Sequence, residues 1–290
     1  MSPITTTSLQ VNADLTGTIL ETTRGEVHLN AYLGAGAFGS VYEATVDHCT
    51  FAVKLVQKET ETQIDAVSRE ERILQQIRQR HHNNIIAYFG ADALIHNAQI
   101  GLIFFEMATH GSLEDHIAEQ GGYLDTIRAW KLFEQILDGL ASLHSIGIYH
   151  GDIKPANFLM RHSSEVVITD FGCAYLASNK DIVPYFDELV GTLDYLAPEM
   201  YENGGCYADE GDIWAAVLTL VTMCTGELPW SRAVKENEYF TAFKNGIIVE
   251  EYWSLLGQFK HHIIDMLHPD PKKRSHPAKY KEMIKTYSSL

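Results

Sequence analysis

The sequence predicts an α+β protein in two parts: a smaller, strand-rich amino-terminal part with one helix, and a larger, mostly helical carboxy-terminal part. Three observations predict it. Short apolar runs with period-two alternation and β-branched residues crowd the first third, at residues 27–33, 41–46, 50–56 and 100–105. One helical pattern, at 61–78, interrupts them. Beyond residue 125 the apolar residues fall at three- and four-residue spacing, and the run 213–224 is apolar on every side, as a buried central helix is.

Taken in order, the alternating run 27–33 leads into Gly34, Gly36 and Gly39, and residues 41–46 return to a strand. A G-x-G-x-x-G pattern also marks dinucleotide-binding folds, but those place a helix after the glycines. A strand there points instead to a hairpin whose bare backbone can close over phosphates. The next strand, 50–56, carries Lys54 between apolar neighbours. Helix 61–78 has apolar residues at 64, 67, 73, 74 and 77; Glu70 lies on that stripe and Glu71 toward its edge. A carboxylate on an inward face is costly unless paired. Strand 100–105 ends in the short connector Glu106, Met107, Ala108. Residues 125–146 carry Ile127, Trp130, Phe133, Ile136, Leu137, Leu140 and Leu143, an amphipathic helix that leads into the polar segment from His150.

The chemistry concentrates at 150–172, which opens His150-Gly151-Asp152-Ile153-Lys154-Pro155-Ala156-Asn157 and closes Asp170-Phe171-Gly172. Each polar residue can be given a task in moving a phosphoryl group. Asp152 can orient or accept the proton of an attacking hydroxyl. Asn157 and Asp170 offer two oxygens suited to Mg²⁺, a hard cation. Lys154 is a compact positive charge for the oxygens in transfer. A loose transition state carries its charge on those oxygens, so positioning and charge neutralisation do most of the work.

Composition bounds the partners. The chain has 290 residues, 46% of them apolar, and a formal net charge of −16. An acidic surface repels nucleic acid and anionic membranes and suits basic peptides. Cys49, Cys173, Cys206 and Cys224 show no C-x-x-C spacing, so reduced thiols and no zinc site are expected. There is no positively charged, apolar leader at the start, and the run 213–224 is too short to span a bilayer, so a soluble intracellular chain is expected. The paired histidines at 81–82 and 261–262 point in different directions and are expected to be solvated or packed, not ligands.

The segment 150–172 resembles the catalytic loop and metal-binding turn of eukaryotic protein kinases, which read His-Arg-Asp, four residues, Asn, and then Asp-Phe-Gly. Gly151 departs from it, standing where most such kinases have Arg. The resemblance runs across residues 27–274. It implies a bilobal protein-kinase fold at 24–287: a small antiparallel β lobe with one key helix (24–107), a larger, mostly helical lobe (108–287), and a flexible extension at 1–23. It implies ATP and Mg²⁺. Gly34, Gly36 and Gly39 would cover the phosphates, with Leu33, Val41 and Ala52 around the nucleotide. Lys54 would grip the α- and β-phosphates with Glu70 as its partner, Glu71 being the second choice. Phe105 would limit the pocket's depth, backbone groups of Glu106 and Ala108 would bind adenine, and Ser112 or Asp115 would reach the ribose. Asn157 and Asp170 would hold the metal, and Asp152 and Lys154 would serve transfer.

Downstream, Gly191-Thr192-Leu193-Asp194-Tyr195-Leu196-Ala197-Pro198-Glu199 matches the kinase substrate-docking loop. Thr192, with Lys154 two residues after Asp152, is the serine/threonine form, and Thr192 is expected to bond both. By the same resemblance Glu199 pairs with Arg274, and Asp212 holds the catalytic-loop backbone. The 191–199 loop and Thr225-Gly226-Glu227-Leu228-Pro229-Trp230 look most like the checkpoint kinase one branch of the calcium/calmodulin-dependent kinase group. The implied activity is ATP-dependent phosphorylation of protein Ser and Thr, with a lean toward basic substrates. The implied setting is checkpoint signalling in cytoplasm or nucleus, by a monomer. Three rivals stand beside it: a small-molecule kinase of the aminoglycoside or choline type, which also uses His-Gly-Asp and Asn; a pseudokinase scaffold; and a nucleotide-sensing module that binds ATP and Mg²⁺ without transferring phosphate to a peptide. Gly151 cannot bind an activation-loop phosphate, and 173–191 holds one Ser, Ser178, and no Thr, so activity without that phosphorylation is expected.

Overall fold

The computed structural model describes residues 13–36, 39–177, 182–183, 191–201 and 206–274. Ser178, like the rest of 178–181, lies outside them. The chain divides into two compact units, Met1–His81 with Ile86–Ala108, and His82–Ile85 with Thr109–Leu290.

The first unit is a closed barrel in the order β1-β2-β3-β4-β6-β5: β1 (Ile19–Thr22), β2 (Gly25–Gly36), β3 (Gly39–Val46), β4 (Cys49–Gln57), then β5 (Tyr88–Leu94) and β6 (Asn97–Phe105) after helix α1 (Glu61–Arg78). All its pairings are antiparallel. Alternate residues fill the barrel, among them Leu29, Tyr42, Ala44, Val53, Leu55, Leu102 and Phe104, so the intervening residues of the same strands take the other face. At the β2–β3 hairpin Gly36 pairs with Gly39. A Cβ on Gly39 would meet the Leu55 carbonyl oxygen at 1.9 Å, so only glycine lets β3 approach β4 there. Helix α1 starts at a capping box between Thr60 and Gln63 and buries Val67, Glu70, Ile73, Leu74 and Ile77.

One expectation needs correction here. Of the 1–23 stretch expected to be flexible, residues 13–22 are structured, and 1–12 lie outside the described residues. β1 pairs with β2 from Ile19↔His28 to Thr22↔Gly25, and Leu15 and Leu20 join the barrel core. The Leu15 N–H donates to the Tyr42 hydroxyl (3.2 Å), which donates in turn to the Ala13 carbonyl (3.0 Å). Burying two leucines and a tyrosine hydroxyl offsets the polar, Thr-rich composition that suggested looseness.

The second unit is mostly helical. Ser112 caps α2 (Leu113–Glu119) and Asp125 caps α3 (Thr126–His144). Short strands follow: β7 (Ile148–Tyr149), the hairpin of β8 (Phe158–His162) with β9 (Glu165–Ile168), β10 (Tyr175–Leu176) on β7, and β11 (Ile182–Val183) on β12 (Cys206–Tyr207). Helix α4 (Ala208–Thr225) buries Trp214, Val217, Leu218, Leu220 and Val221, so nearly every side of it is covered, as its unbroken apolar run requires. Helices α5 (Glu238–Lys244), α6 (Glu250–Trp253) and α7 (Lys260–Met266) follow among the described residues. The two units give a mixed α+β chain, strand-rich first and helical second. No helix among the described residues is long and apolar enough to cross a membrane.

Candidate active site

In the first unit the registers put Val41 opposite both Gly34 and Lys54, and Ala52 opposite Phe105. Gly34, Val41, Ala52, Lys54 and Phe105 therefore share the face turned away from the barrel core. Leu33, next to the bulge at Tyr32/Gly34, is exposed. On that face Lys54 Nζ lies 2.7 Å from Glu70 Oε1, with both residues buried. The stripe of α1 selects Glu70, while Glu71 is only half-buried. The Glu106 N–H donates to the Ala87 carbonyl (2.9 Å), so an adenine-binding role for this residue falls to its carbonyl. Ala108 ends the first unit.

In the second unit Asp152 is the centre of a polar network. Its Oδ1 accepts the Thr192 N–H at 2.7 Å. Its Oδ2 accepts from Asn157 Nδ2 at 2.8 Å and lies 3.0 Å from Lys154 Nζ. Lys154 Nζ also donates to Thr192 Oγ1 at 2.6 Å, so Thr192 bonds both partners, one through its backbone and one through its hydroxyl. Burial alone would raise the Asp152 pKa; the Thr192, Lys154 and Asn157 hydrogen bonds and the Lys154 charge outweigh it and hold the carboxyl below its usual range. Asp152 is thus an ionised acceptor with a fixed orientation.

Asn157 spends its amide nitrogen on the Asp152 carbonyl (2.7 Å) and carboxylate (2.8 Å), both of which only accept. Its Oδ1 is the atom left to serve a cation. The Thr169 N–H donates to the Asn157 carbonyl (3.0 Å), which ties the 170–172 turn to the 150–157 loop. Asp170, next in sequence, sits at φ 59°, ψ 78°, a left-handed conformation costly for a residue with a Cβ. One amide oxygen and one carboxylate suit Mg²⁺, which keeps water and takes its remaining oxygens from substrate phosphates. No group of three or more His, Cys, Asp and Glu side chains among the described residues is arranged to hold a metal.

Two residues the sequence reading left unassigned complete the support. His150 is fully buried; its Nε2 donates to the Thr169 carbonyl (2.8 Å), and its Nδ1 accepts the Asp152 N–H (3.3 Å). Its ring lies 5.3 Å from that of Phe171. Buried Asp212 accepts the His150 N–H on Oδ2 and the Gly151 N–H on Oδ1, both at 2.9 Å, and His144 Nε2 reaches Oδ2 at 2.8 Å. The sequence signal for His150 was its place in the loop motif; His144, on the last turn of α3, carried none. At Gly151, φ is +75° and a Cβ would lie 2.9 Å from the Cys173 carbonyl oxygen, so the departure from Arg is matched by the local backbone. Ser112 and Asp115, either of which was expected to reach a ribose, bond one another across the α2 cap at 2.6 and 3.0 Å.

Burial raises the Asp212 pKa, and His144 with the loop amides more than reverses this, leaving it lowered. A carboxylate depressed in the folded state adds stability above its unfolded pKa, about 3.9, that is lost as pH falls through the folded value. Asp212→Asn is therefore expected to weaken the fold at neutral pH and to flatten its loss on acidification, read by circular dichroism during an acid titration. A variant as acid-sensitive as the wild type would contradict this.

Arg274 holds Glu199 in a two-pronged pair, Nη1–Oε1 2.8 Å and Nη2–Oε2 2.9 Å, and its guanidinium stacks over Trp214 at 4.7 Å. The 191–199 loop is thereby anchored to the central helix α4.

The chain matches the family described as protein kinase domain over residues 27–285. It is similar to serine/threonine-protein kinase chk-1 of Caenorhabditis briggsae, 32% identical over 225 residues, which cover 76% of this chain and 45% of that protein. It is similar to serine/threonine-protein kinase grp of Drosophila melanogaster, 33% identical over 77% of this chain and 42% of that protein. It is also similar to mitogen-activated protein kinase kinase kinase 17 of Arabidopsis thaliana, 32% identical over 74% of this chain and 54% of that protein. The chain thus spans about half the length of the curated relatives it matches. With a barrel carrying a buried lysine–glutamate pair and a loop that orients an ionised aspartate, the chain belongs to the protein kinase family.

Proposed function

We propose that this chain transfers the γ-phosphoryl group of ATP to Ser and Thr hydroxyls of protein substrates. The observation that carries this reading is the network of Asp152, Lys154, Asn157 and Thr192, built into a chain of a family that uses ATP and Mg²⁺. We assign residues 24–107 as the nucleotide lobe, with Gly34, Gly36, Gly39, Leu33, Val41, Ala52 and Phe105 around ATP and with Glu106 and Ala108 on adenine. Residues 108–287 form the substrate lobe.

Lys54, held by Glu70, neutralises charge on the α- and β-phosphates. Asn157 Oδ1 and Asp170 hold Mg²⁺, which supplies charge neutralisation at the phosphate oxygens when bound. Asp152 points its lone pairs at the incoming hydroxyl. A carboxylate whose pKa is below the usual range is a weak base, so its larger contribution is orientation, with proton uptake late in a loose transition state. Lys154 sits beside the oxygens in transfer, and Thr192 fixes both side chains from the loop that receives substrate. A net charge of −16 favours basic substrates, and likeness to chk-1 and grp favours a checkpoint role.

The test offers labelled ATP, Mg²⁺ and purified chain a Ser/Thr peptide library beside aminoglycosides and choline. Label is expected on peptide Ser and Thr, and equally after phosphatase treatment, because Gly151 offers no side chain to an activation-loop phosphate. Label on the small molecules alone, or on nothing, would overturn the reading.

A further inference from the structure

Within the second unit, apart from the Asp152 network, lies a cavity of about 550 Å³, in the range that holds small ligands and peptide anchors. Its walls are the 227–231 segment, helix α5 and residues 247–253. Buried aromatic rings line it: Phe243 lies 4.9 Å from Trp230 and 5.1 Å from Trp253 between ring centroids. The Tyr252 hydroxyl donates to the Glu227 carbonyl at 2.9 Å, which pins one wall to the other. The cavity is therefore formed in advance and needs no rearrangement to receive a side chain.

Its rim is unusual for a surface facing only water. Tyr239 is 68% exposed, Ile247 61% and Val249 46%, all three lining the same cavity. Apolar side chains gathered at a rim mark interaction sites. The charge around them is acidic. Glu227 is the charged residue among the described residues that line the cavity, and exposed Glu236, Glu238, Glu250 and Glu251 flank it in sequence against Arg232, Lys235 and Lys244. Arg232 faces Asp194 at 3.8 Å, Lys235 faces Glu236 at 3.7 Å and Lys260 holds Glu250 at 2.6 Å, which leaves Glu227, Glu238 and Glu251 to face an incoming cation.

We propose that this groove docks a short segment of a partner protein in which an aromatic or aliphatic anchor is flanked by lysines or arginines. The anchor fills the aromatic cavity, and the flanking cations meet the carboxylates. A second copy of this chain fits poorly, because it would bring a charge of −16 against the same charge. The proposal goes beyond phosphoryl transfer and does not depend on it.

The test uses fluorescein-labelled heptapeptides in which two arginines flank each side of a Leu-Trp-Leu or Leu-Phe-Leu centre, with glutamate-flanked versions as controls. None carries a hydroxyl acceptor, and anisotropy is read without nucleotide, so a failed phosphoryl-transfer reading leaves this outcome untouched. The arginine-flanked peptides are expected to bind at least tenfold more tightly than the glutamate-flanked ones. Tyr239→Ser combined with Ile247→Asp is expected to weaken binding at least tenfold, and Glu227→Lys several-fold, with melting temperature and turnover of a short peptide unchanged. These positions are exposed, so folding is retained. Absence of binding, equal binding of both peptide series, or binding indifferent to the variants would overturn the proposal. Sedimentation showing a dimer that Ile247→Asp dissolves would overturn it too, by assigning the face to a second copy.

Discussion

Asp152→Asn lowers turnover by about 10²–10⁴-fold, the usual contribution of a positioned acid–base group, and leaves the affinity for ATP nearly unchanged. The substitution keeps size and removes the negative charge. Asp152 accepts the Thr192 N–H on one oxygen and the Asn157 amide on the other, so its orientation is fixed before any substrate arrives. An asparagine amide must turn one N–H₂ hydrogen toward donors that have nothing to accept it, and Lys154 at 3.0 Å loses its counter-charge. The loss falls on an interaction made in the transition state, so turnover drops while nucleotide binding, assigned to Lys54, Asn157 and Asp170, persists. The check is steady-state kinetics with a Ser peptide beside calorimetric ATP titration. Equal turnover in the variant would remove Asp152 from the chemistry.

Arg274→Ala is expected to cost about 3–5 kcal/mol, because it strands a carboxylate that burial has cut off from water. Glu199 keeps 12% of its side-chain surface and Arg274 only 4%, and the guanidinium also covers Trp214. For a chain of this size each kcal/mol lowers the melting temperature by roughly 2–4 °C. Glu250→Ala is the contrast: it breaks the pair with Lys260 where the glutamate is 74% exposed, and exposed pairs contribute about 0–1 kcal/mol. Replacing Arg274 and Glu199 together by methionine is expected to recover most of the loss, since no uncompensated charge then remains. Thermal melts of the four proteins decide this; an Arg274→Ala melt within a degree of wild type would contradict it.

Much of this was legible in the letters. Lys54 lies in a strand whose alternation fixes its face, and the α1 stripe distinguishes Glu70 from Glu71 by one residue of helical phase, about 100° of rotation. Residues 75 apart, Glu199 and Arg274, were pairable only through family resemblance, because no local pattern joins them. β1 was missed because four residues of mixed polarity become a strand only when β2 and the barrel core accept them. β5 reads Tyr-Phe-Gly-Ala-Asp-Ala-Leu, without clean alternation, and is held by its pairing to β6. Ser-x-x-Asp before a helix is also a capping signal, and the Ser112–Asp115 cap that forms was legible in the letters but not read from them. The left-handed turn at Asp170 is invisible in sequence, since aspartate does not demand it as glycine would.

The central assignment is that Asp170 carries the metal through which the triphosphate is held, with Asn157 beside it and Lys54 acting on the phosphates directly. Affinity for a non-hydrolysable ATP analogue, measured with and without Mg²⁺ in the wild type, in Asp170→Asn and in Glu70→Gln, tests it most directly. Mg²⁺ is expected to tighten binding to the wild type and to lose that effect in Asp170→Asn, while Glu70→Gln weakens binding by the same factor in both conditions. A full metal effect surviving in Asp170→Asn would contradict the assignment.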